Sequence, residues 1–130
     1  MRLESKVSIV TGGASGMGAA ESVLFASEGS HVVVADMRIE DGMEIVDEIK
    51  SSGGNATFME LDVTDEKRWS VVVADVLSQF GTIDVLVNNA GLSGSYQSDI
   101  MSLEAYDRLM NVNSRGVFLG SGRVLHACWW

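Results

Sequence analysis

TGGASGMG, residues 11–18, decides the fold of this chain, because it places four glycines directly after the apolar run KVSIV (6–10). A short, β-branched run that ends in glycine indicates a strand, and the apolar residues after Gly16 recur with helical spacing. The first N–H groups of a helix lack partners within it, so they can bind an anion, and glycines let that ligand approach the backbone. The stretch therefore predicts a strand, a ligand-binding turn and a helix that ends near Gly29.

The same alternation of strand and helix continues along the chain. The predicted strands cover residues 6–12, 31–36, 56–62 and 83–91, and the predicted helices cover residues 16–29, 39–50, 66–80 and 103–118. The strands are continuous apolar runs, which is typical of a parallel sheet covered by helices on both faces. We therefore expect a three-layer, doubly wound α/β fold of about four strands in the order 3-2-1-4.

Apolar periodicity predicts which face of each helix packs on the sheet. The predicted buried faces are Met17, Ala20, Val23, Leu24 and Ser27 in the first helix, Ile39, Met43, Val46 and Ile49 in the second, and Trp69, Val72, Val73, Val76, Leu77 and Phe80 in the third. Asp65 and Ser102 are expected to cap the third and fourth helices, and Gly81 is expected to end the third.

The composition narrows the classes of partner. The 130 residues suit one domain, and the net charge of −9 opposes binding to a nucleic acid backbone. The single cysteine, Cys128, lacks both a disulfide partner and a ligand cluster, so we expect no metal site. No segment has the length of a membrane span, and the first residues lack the features of a signal peptide. We therefore expect a cytoplasmic protein without a membrane partner.

An acidic residue, Asp36, ends the second predicted strand, 18 positions after the last glycine of the turn. Its carboxylate can accept hydrogen bonds from ribose hydroxyls and repels a 2′-phosphate, although Arg38 would weaken that repulsion. Together with the glycine turn, it favours a dinucleotide cofactor, NAD rather than NADP. A glycine-rich loop without a ligand and a solvated acid at a strand end are the alternative interpretations.

Four segments of residues 1–119 resemble the classical short-chain dehydrogenases/reductases. They are the turn T-G-x-x-x-G-x-G (11–18), LDVTD (61–65), NNAG (88–91) and NVNSRGVF (111–118), in the order typical of the family. The resemblance implies a Rossmann-type fold, an NAD(P) cofactor and hydride transfer between the nicotinamide and a small-molecule secondary alcohol or ketone. It also implies a homo-oligomer for the complete form.

The resemblance assigns roles to individual residues. It implies that Asp62 and Val63 frame the adenine, that NNAG leaves room for a ribose, and that Asn113 is a catalytic residue holding a water in a proton relay. The full predicted cofactor-binding set is Gly12, Ser15, Gly16, Met17, Gly18, Asp36, Met37, Asp62, Val63, Asn89, Ala90, Gly91 and Val112. The alternatives are a charge at the start of a helix for Asp62, a turn after a strand for NNAG and an exposed helical asparagine for Asn113.

The catalytic pair of the family is missing from these 130 residues. The family uses a tyrosine as acid/base and a lysine four residues later, whose charge lowers the tyrosine pKa. Here Ile100 follows Tyr96 and Met110 follows Tyr106 at that spacing, and Lys6, Lys50 and Lys67 all precede both tyrosines. Two hypotheses stay open: an NAD-dependent dehydrogenase that lacks its Tyr-x-x-x-Lys part, and a dinucleotide-binding fragment without catalysis. A non-redox relative such as an epimerase is a third, which NNAG disfavours.

The last stretch, GSGRVLHACWW (120–130), is unlike the rest of the chain. Gly120 and Gly122 are expected to weaken a helix, and the terminal tryptophans have little to pack on. We expect a nucleotide-binding domain over residues 1–119 and an atypical tail over residues 120–130, produced by a truncation or a change of reading frame. The unpaired fourth strand would then favour self-association.

Overall fold

Four parallel strands and the helices between them build the fold. A computed structural model describes residues 1–94 and 99–129 of the chain. The strands are β1 (Val7–Thr11), β2 (His31–Asp36), β3 (Asn55–Glu60) and β4 (Val85–Val87). The α-helices are α1 (Gly16–Ser27), α2 (Ile39–Ser51), α3 (Glu66–Phe80), α4 (Leu103–Met110) and α5 (Gly116–Trp129), and a π-helical segment (Asn111–Arg115) joins the last two.

The sheet has the predicted order, β3-β2-β1-β4, and all of its strand pairs are parallel. Ile9 in β1 lies opposite Val33 in β2 and Leu86 in β4. Ile9 and Val33 are fully buried because helices cover both faces of the sheet, which explains why the strands are apolar throughout. The predicted Rossmann-type α/β fold is therefore confirmed.

The layer that contains α3 matches its sequence pattern. Trp69, Val72, Val73 and Val76 are buried against the sheet, and Leu77 and Phe80 pack at the edge of the same core. The Asp65 carboxylate accepts a hydrogen bond from the Arg68 N–H at 2.9 Å, as a helix cap does. Gly81 ends the helix with a φ of 77°. These predictions are confirmed.

The predicted buried face of α1 is wrong except at Val23, which is partly buried against the core. The residues that face the sheet are Gly18, Ser22 and Ala26, whereas Met17 is 76% exposed and Leu24 is 58% exposed. A Cβ on Gly18 would overlap the Gly12 carbonyl oxygen, so the helix begins in direct contact with the turn. Such a close approach requires small residues, so Met17 and Leu24 lie on the outside of the helix.

The predicted face of α2 is half right. Val46 and Ile49 are buried, but Ile39 and Met43 are about half exposed. Gly42 takes their place against the sheet, because a Cβ at this position would overlap the ring of Phe58. The helix lies so near to β3 that an aromatic ring fills the space which a larger helical side chain would need.

β4 is shorter than the predicted strand 83–91. Its ladder pairs with β1 from Ser8 to Val10 and ends at Val87. Beyond it, the N–H groups of Asn89 and Ala90 both donate to the Thr11 side-chain oxygen, each at 3.0 Å. These N–H groups bond to a side-chain oxygen and not to a backbone carbonyl oxygen of β1. The β1–β4 ladder therefore ends at Val87.

The helix continues through Gly120 and Gly122, where the sequence was expected to weaken it. Leu119, Gly120 and Val124 in α5 are buried against the α3 layer. A Cβ on Gly120 would lie 2.5 Å from the indole ring of Trp69, so the absence of a side chain here makes room for that ring.

The division of the chain after Leu119 stays a prediction. Within residues 1–94 and 99–129, no helix is both long and apolar enough to cross a membrane.

Candidate functional site

The carboxyl ends of the strands surround a cavity of about 840 Å³. The strand order reverses between β1 and β4, and ligands of open α/β sheets bind at such a point. Most of the predicted cofactor residues line this cavity: Gly12, Ser15, Met17, Asp36, Met37, Asp62, Val63, Asn89, Ala90, Gly91 and Val112. The other lining residues are Arg38, Leu61, Thr64, Leu92, Arg108 and Asn111. Of the predicted set, Gly16, Gly18 and Asn113 are not in the lining.

The glycine turn leaves the start of α1 bare. Gly12 and Gly16 have φ values of 63° and 55°, in the left-handed region that favours glycine. A Cβ on Gly16 would meet no atom within 4 Å, and the Ser15 side chain makes no capping bond to the helix. The first N–H groups of α1 are therefore free of a side-chain cap at the edge of the cavity, which suits a phosphate ligand.

Thr11 and Asn89 tie the glycine turn to the end of β4. The Asn89 side-chain amide donates to the Thr11 and Gly12 carbonyl oxygens at 3.0 and 3.3 Å. The Thr11 hydroxyl donates to the Val87 carbonyl oxygen at 3.2 Å. Asn89 was predicted to bind the cofactor, and its side chain positions the turn. Thr11 was predicted only as part of the glycine-turn motif, although a hydroxyl at the end of a buried strand is a signal for such a hydrogen bond.

Asp36 is connected to the glycine turn through its own carboxylate. Oδ2 accepts a hydrogen bond from the Ala14 N–H at 3.1 Å, and Oδ1 accepts one from the Arg38 N–H at 2.9 Å. Each carboxylate oxygen has a second lone pair that can accept a further bond. The acid and the turn, predicted separately from the sequence, therefore form one hydrogen-bonded unit in which the carboxylate can still bind a diol.

The segment after β3 forms another wall of the cavity. The Asp62 carboxylate accepts two hydrogen bonds from Thr64, from its N–H at 2.9 Å and from its hydroxyl at 2.7 Å. The buried Trp69 donates its indole N–H to the Val63 carbonyl oxygen at 3.0 Å. Gly116 lies against the Val63 side chain, where a Cβ would lie 2.8 Å from Cγ2. Val63 is thus fixed from two sides, and Trp69, predicted only as a core residue, is one of the residues that hold it.

Asn113 lies in the π-helical segment and binds the loop after β4. Its side-chain amide donates to the Leu92 carbonyl oxygen at 2.8 Å, and its Oδ1 accepts from the Leu92 N–H at 2.7 Å. The exposed side chain thus binds both the N–H and the carbonyl oxygen of one backbone residue. Single π-helical turns within helices are frequent at functional sites, because they displace backbone carbonyls from the regular ladder. The catalytic role of Asn113 stays a prediction.

The remaining titratable candidates contribute little to this cavity. Tyr106 on α4 is 57% exposed and is not among the lining residues, and Tyr96 lies outside the described residues. Lys6 lies at the amino end of β1, where its ammonium is 3.5 Å from the Asp84 carboxylate. No group of three His, Cys, Asp or Glu side chains in residues 1–94 and 99–129 is placed to hold a metal ion.

The chain is similar to several known dehydrogenases. It is 43% identical to cyclopentanol dehydrogenase from Comamonas sp. (strain NCIMB 9872) over 124 residues, which are 95% of this chain and 50% of that protein. The structure of citronellol catabolism dehydrogenase AtuB from Pseudomonas aeruginosa PAO1 has a TM-score of 0.90 and 31% identity, covering 98% of this chain and 52% of that one. A metagenomic short-chain oxidoreductase in complex with NADP has a TM-score of 0.89 and 30% identity, covering 98% of this chain and 58% of that one.

The chain spans about half the length of the curated relatives it matches. The family model described as short chain dehydrogenase matches residues 6–128, which include most of α5. With the parallel sheet, the glycine turn and the cavity at the carboxyl ends of the strands, this match leads to one conclusion: the chain belongs to the short-chain dehydrogenase family of oxidoreductases.

Proposed function

We propose that this chain is the cofactor-binding part of an NAD-dependent oxidoreductase that acts on a secondary alcohol or ketone. The observation that carries the proposal is the unit formed by Asp36, at the end of β2, and the glycine turn, joined by the Ala14 N–H at 3.1 Å. A diol-binding carboxylate and a phosphate-binding helix start are the two recognition elements of a nicotinamide dinucleotide, and here they share one cavity.

The residues of the cavity fit the parts of such a cofactor. The bare start of α1 would hold the diphosphate, and the Asp36 carboxylate would hold the adenosine ribose. Asp62 and Val63 would contact the adenine, and Asn89, Ala90 and Gly91 would leave room for the second ribose. When bound, the cofactor supplies the hydride-accepting ring, and the chain binds and orients it.

The preference for NAD over NADP rests on charge. A 2′-phosphate would enter beside the Asp36 carboxylate, whose two oxygens already face the turn and the start of α2. Like charges within a few ångströms disfavour one another, so we expect NADP to bind more weakly. The related metagenomic oxidoreductase was crystallised with NADP, which makes a direct comparison of the two cofactors necessary.

Calorimetric titration of the 130-residue chain with NAD⁺ and NADP⁺ tests this function. Asp36→Ser should weaken NAD⁺ about tenfold or more, because it removes charge-assisted hydrogen bonds to the ribose. The same variant should bring the two dissociation constants closer together. Asp47→Ser is the matched control, since Asp47 is an exposed acid of α2 outside the cavity. Unchanged NAD⁺ binding in Asp36→Ser, with folding verified by thermal melting, would contradict the proposal.

The second candidate function is dinucleotide binding without turnover. It is favoured by the sequence, in which neither Tyr96 nor Tyr106 has a lysine four residues later. Without that ammonium, the phenol lacks the nearby charge that would bring its pKa toward neutrality. We therefore expect NAD⁺ to bind to the 130-residue chain without reduction across a panel of secondary alcohols. NADH formation above the buffer rate, monitored at its absorbance band, would exclude this candidate.

The substrate class rests on similarity alone. Cyclopentanol dehydrogenase and a cyclohexadiene-diol dehydrogenase are among the relatives, and both names describe alcohols on rings. We propose a small secondary alcohol or its ketone as the substrate of the corresponding full-length enzyme. A panel of cyclic and linear alcohols, assayed with that enzyme and NAD⁺, tests this assignment, and activity confined to primary alcohols or sugars would contradict it.

A further inference from the structure

Arg38 is the cation closest in sequence to Asp36 and lines the same cavity. Its backbone N–H donates to the Asp36 carboxylate at 2.9 Å, and its side chain is 63% exposed. It directly precedes α2, as the N-cap residue, and its side chain makes no capping bond. A guanidinium in this position is suited to a phosphate on the ribose that Asp36 would hold, because its planar donors match phosphate oxygens.

One nitrogen of the Arg38 guanidinium already has an acidic partner. It lies 2.5 Å from the Asp41 carboxylate, one turn into α2, and that carboxylate is 38% exposed. Asp41 also belongs to the first turn of α2, where a negative charge is favoured by the helix dipole and an arginine is not. The helix dipole stabilises the Asp41 carboxylate, and this carboxylate holds the Arg38 guanidinium. Asp41 itself is outside the lining of the cavity.

We propose that Asp41 is a specificity-determining residue, which favours a free ribose hydroxyl over a 2′-phosphate by withholding Arg38. This inference rests on the proposed dinucleotide-binding function. A 2′-phosphate would compete with Asp41 for the guanidinium while it faces the Asp36 carboxylate. A ribose diol needs no cation and leaves the Arg38–Asp41 pair unchanged. Two acids thus disfavour NADP, one by direct repulsion and one by competition for the arginine.

The expected effect is small, because the pair is exposed. Ion pairs of this kind are worth only a modest free energy, so release of Arg38 should change the NADP⁺ dissociation constant by about two- to fivefold. Repulsion from Asp36 stays in place, so Asp41→Asn alone should reduce the preference for NAD⁺ without reversing it. The change should decrease as salt is added, since exposed charges are screened.

The test measures dissociation constants of NAD⁺ and NADP⁺ by calorimetry for the 130-residue chain and three single variants. Asp41→Asn should tighten NADP⁺ about two- to fivefold and leave NAD⁺ within about twofold. Glu40→Gln is the matched control, because Glu40 carries the same charge in the same turn and makes no ion pair within the described parts of the chain. Arg38→Gln supplies the background in which the guanidinium is absent.

The double variant Arg38→Gln/Asp41→Asn separates competition from plain loss of charge. If Asp41 acts through Arg38, removing Asp41 in the Arg38→Gln background should tighten NADP⁺ no more than Glu40→Gln does. An equal gain from Asp41→Asn and Glu40→Gln, or a gain that persists without Arg38, would overturn the inference and leave the proposed function intact. If the unmodified chain bound neither dinucleotide, the proposed function and this inference would both be overturned.

Discussion

Asn113 in the π-helical segment and Leu92 in the loop after β4 are joined by two hydrogen bonds, at 2.7 and 2.8 Å, between one side-chain amide and one backbone residue. The pair connects the π-helical segment to the edge of the cavity across 21 positions of sequence. A Cβ on the neighbouring Gly91 would lie 3.2 Å from the Asn113 Oδ1, so the loop and the amide are closely packed. The loop is therefore positioned by a residue that is itself outside the cavity lining.

Asn113→Ala should lower the free energy of unfolding by about 1 kcal/mol, because both hydrogen bonds to Leu92 are lost at an exposed position. Urea denaturation measures the change. Asn111→Ala is the control, because Asn111 is an exposed asparagine of the same segment and makes no side-chain hydrogen bond with the described residues. If the two variants unfold at the same urea concentration, the amide does not hold the loop.

Trp69→Phe should destabilise the chain by about 1–3 kcal/mol, because the Val63 carbonyl oxygen loses its indole donor in a buried place. The affinity for 5′-AMP should fall in the same variant, since Val63 lines the proposed adenine region. Trp129→Phe serves as the matched control, with a side chain that is 78% exposed. Equal stability and equal nucleotide affinity in both variants would argue against the positioning role of Trp69.

Two glycines of α5 should respond in opposite directions to the same substitution. Gly120→Ala should destabilise the chain by about 1–3 kcal/mol, because the new methyl group overlaps the Trp69 ring. Gly122→Ala should stabilise it by up to about 1 kcal/mol, because the position is exposed and alanine favours the helix. Thermal unfolding of both variants measures the difference. Indifference to both substitutions would mean that residues 120–129 do not pack on α3.

The stability of the chain should depend on the protonation of His31. Burial, and then the charge of Lys50, lower the pKa of His31 below its usual value of 6.5. Its Nε2 is 2.9 Å from the Thr57 hydroxyl, and its ring lies 4.1 Å from the Phe80 ring. Because the folded state binds the proton less readily than the unfolded state, the stabilisation is complete above pH 6.5 and is lost as the pH falls below it.

Urea denaturation at pH 7.5 and at about pH 5.5 measures this dependence against His31→Gln, which cannot titrate in that range. The unmodified chain should lose more stability between the two pH values than the variant does. Lys50→Gln should reduce the dependence in part, because Lys50 is the second cause of the lowered pKa. Identical pH profiles for the unmodified chain and His31→Gln would show that the ring is not held neutral by the fold.

The sequence predicted the strands, the layers and the buried face of α3, because these follow from runs of large apolar residues such as Trp69 and Val72. It did not predict the face of α1, because this helix lies so close to the glycine turn that only small residues such as Gly18 and Ser22 fit between them. Gly120 shows the same limit: the glycine that suggested a weak helix is the one that accommodates Trp69, 51 positions earlier. Apolar periodicity reports hydrophobicity, and it carries no information on the distance between backbones.

Strand-end residues of the candidate site were likewise predictable, because a parallel sheet brings the positions after each strand to one edge. Thr11, Trp69 and Asp41 were missed as residues that support the site. None of the three lines the cavity; each contacts a residue that does. Thr11 contacts Asn89, Trp69 contacts Val63, and Asp41 contacts Arg38. Thr11 and Asn89 are 78 positions apart, and the Trp69–Val63 bond joins a helical side chain to a loop carbonyl oxygen, so neither contact is encoded by spacing within a motif.

A crystal structure of the chain grown with NAD⁺ is the most direct measurement of dinucleotide binding at this sheet edge. We expect the diphosphate within hydrogen-bond distance of the first N–H groups of α1, and the adenosine ribose hydroxyls on the Asp36 carboxylate. The Arg38–Asp41 pair should be unchanged in that complex. Clear density for the dinucleotide elsewhere on the molecule, or a cavity without it at saturating NAD⁺, would contradict the proposed function.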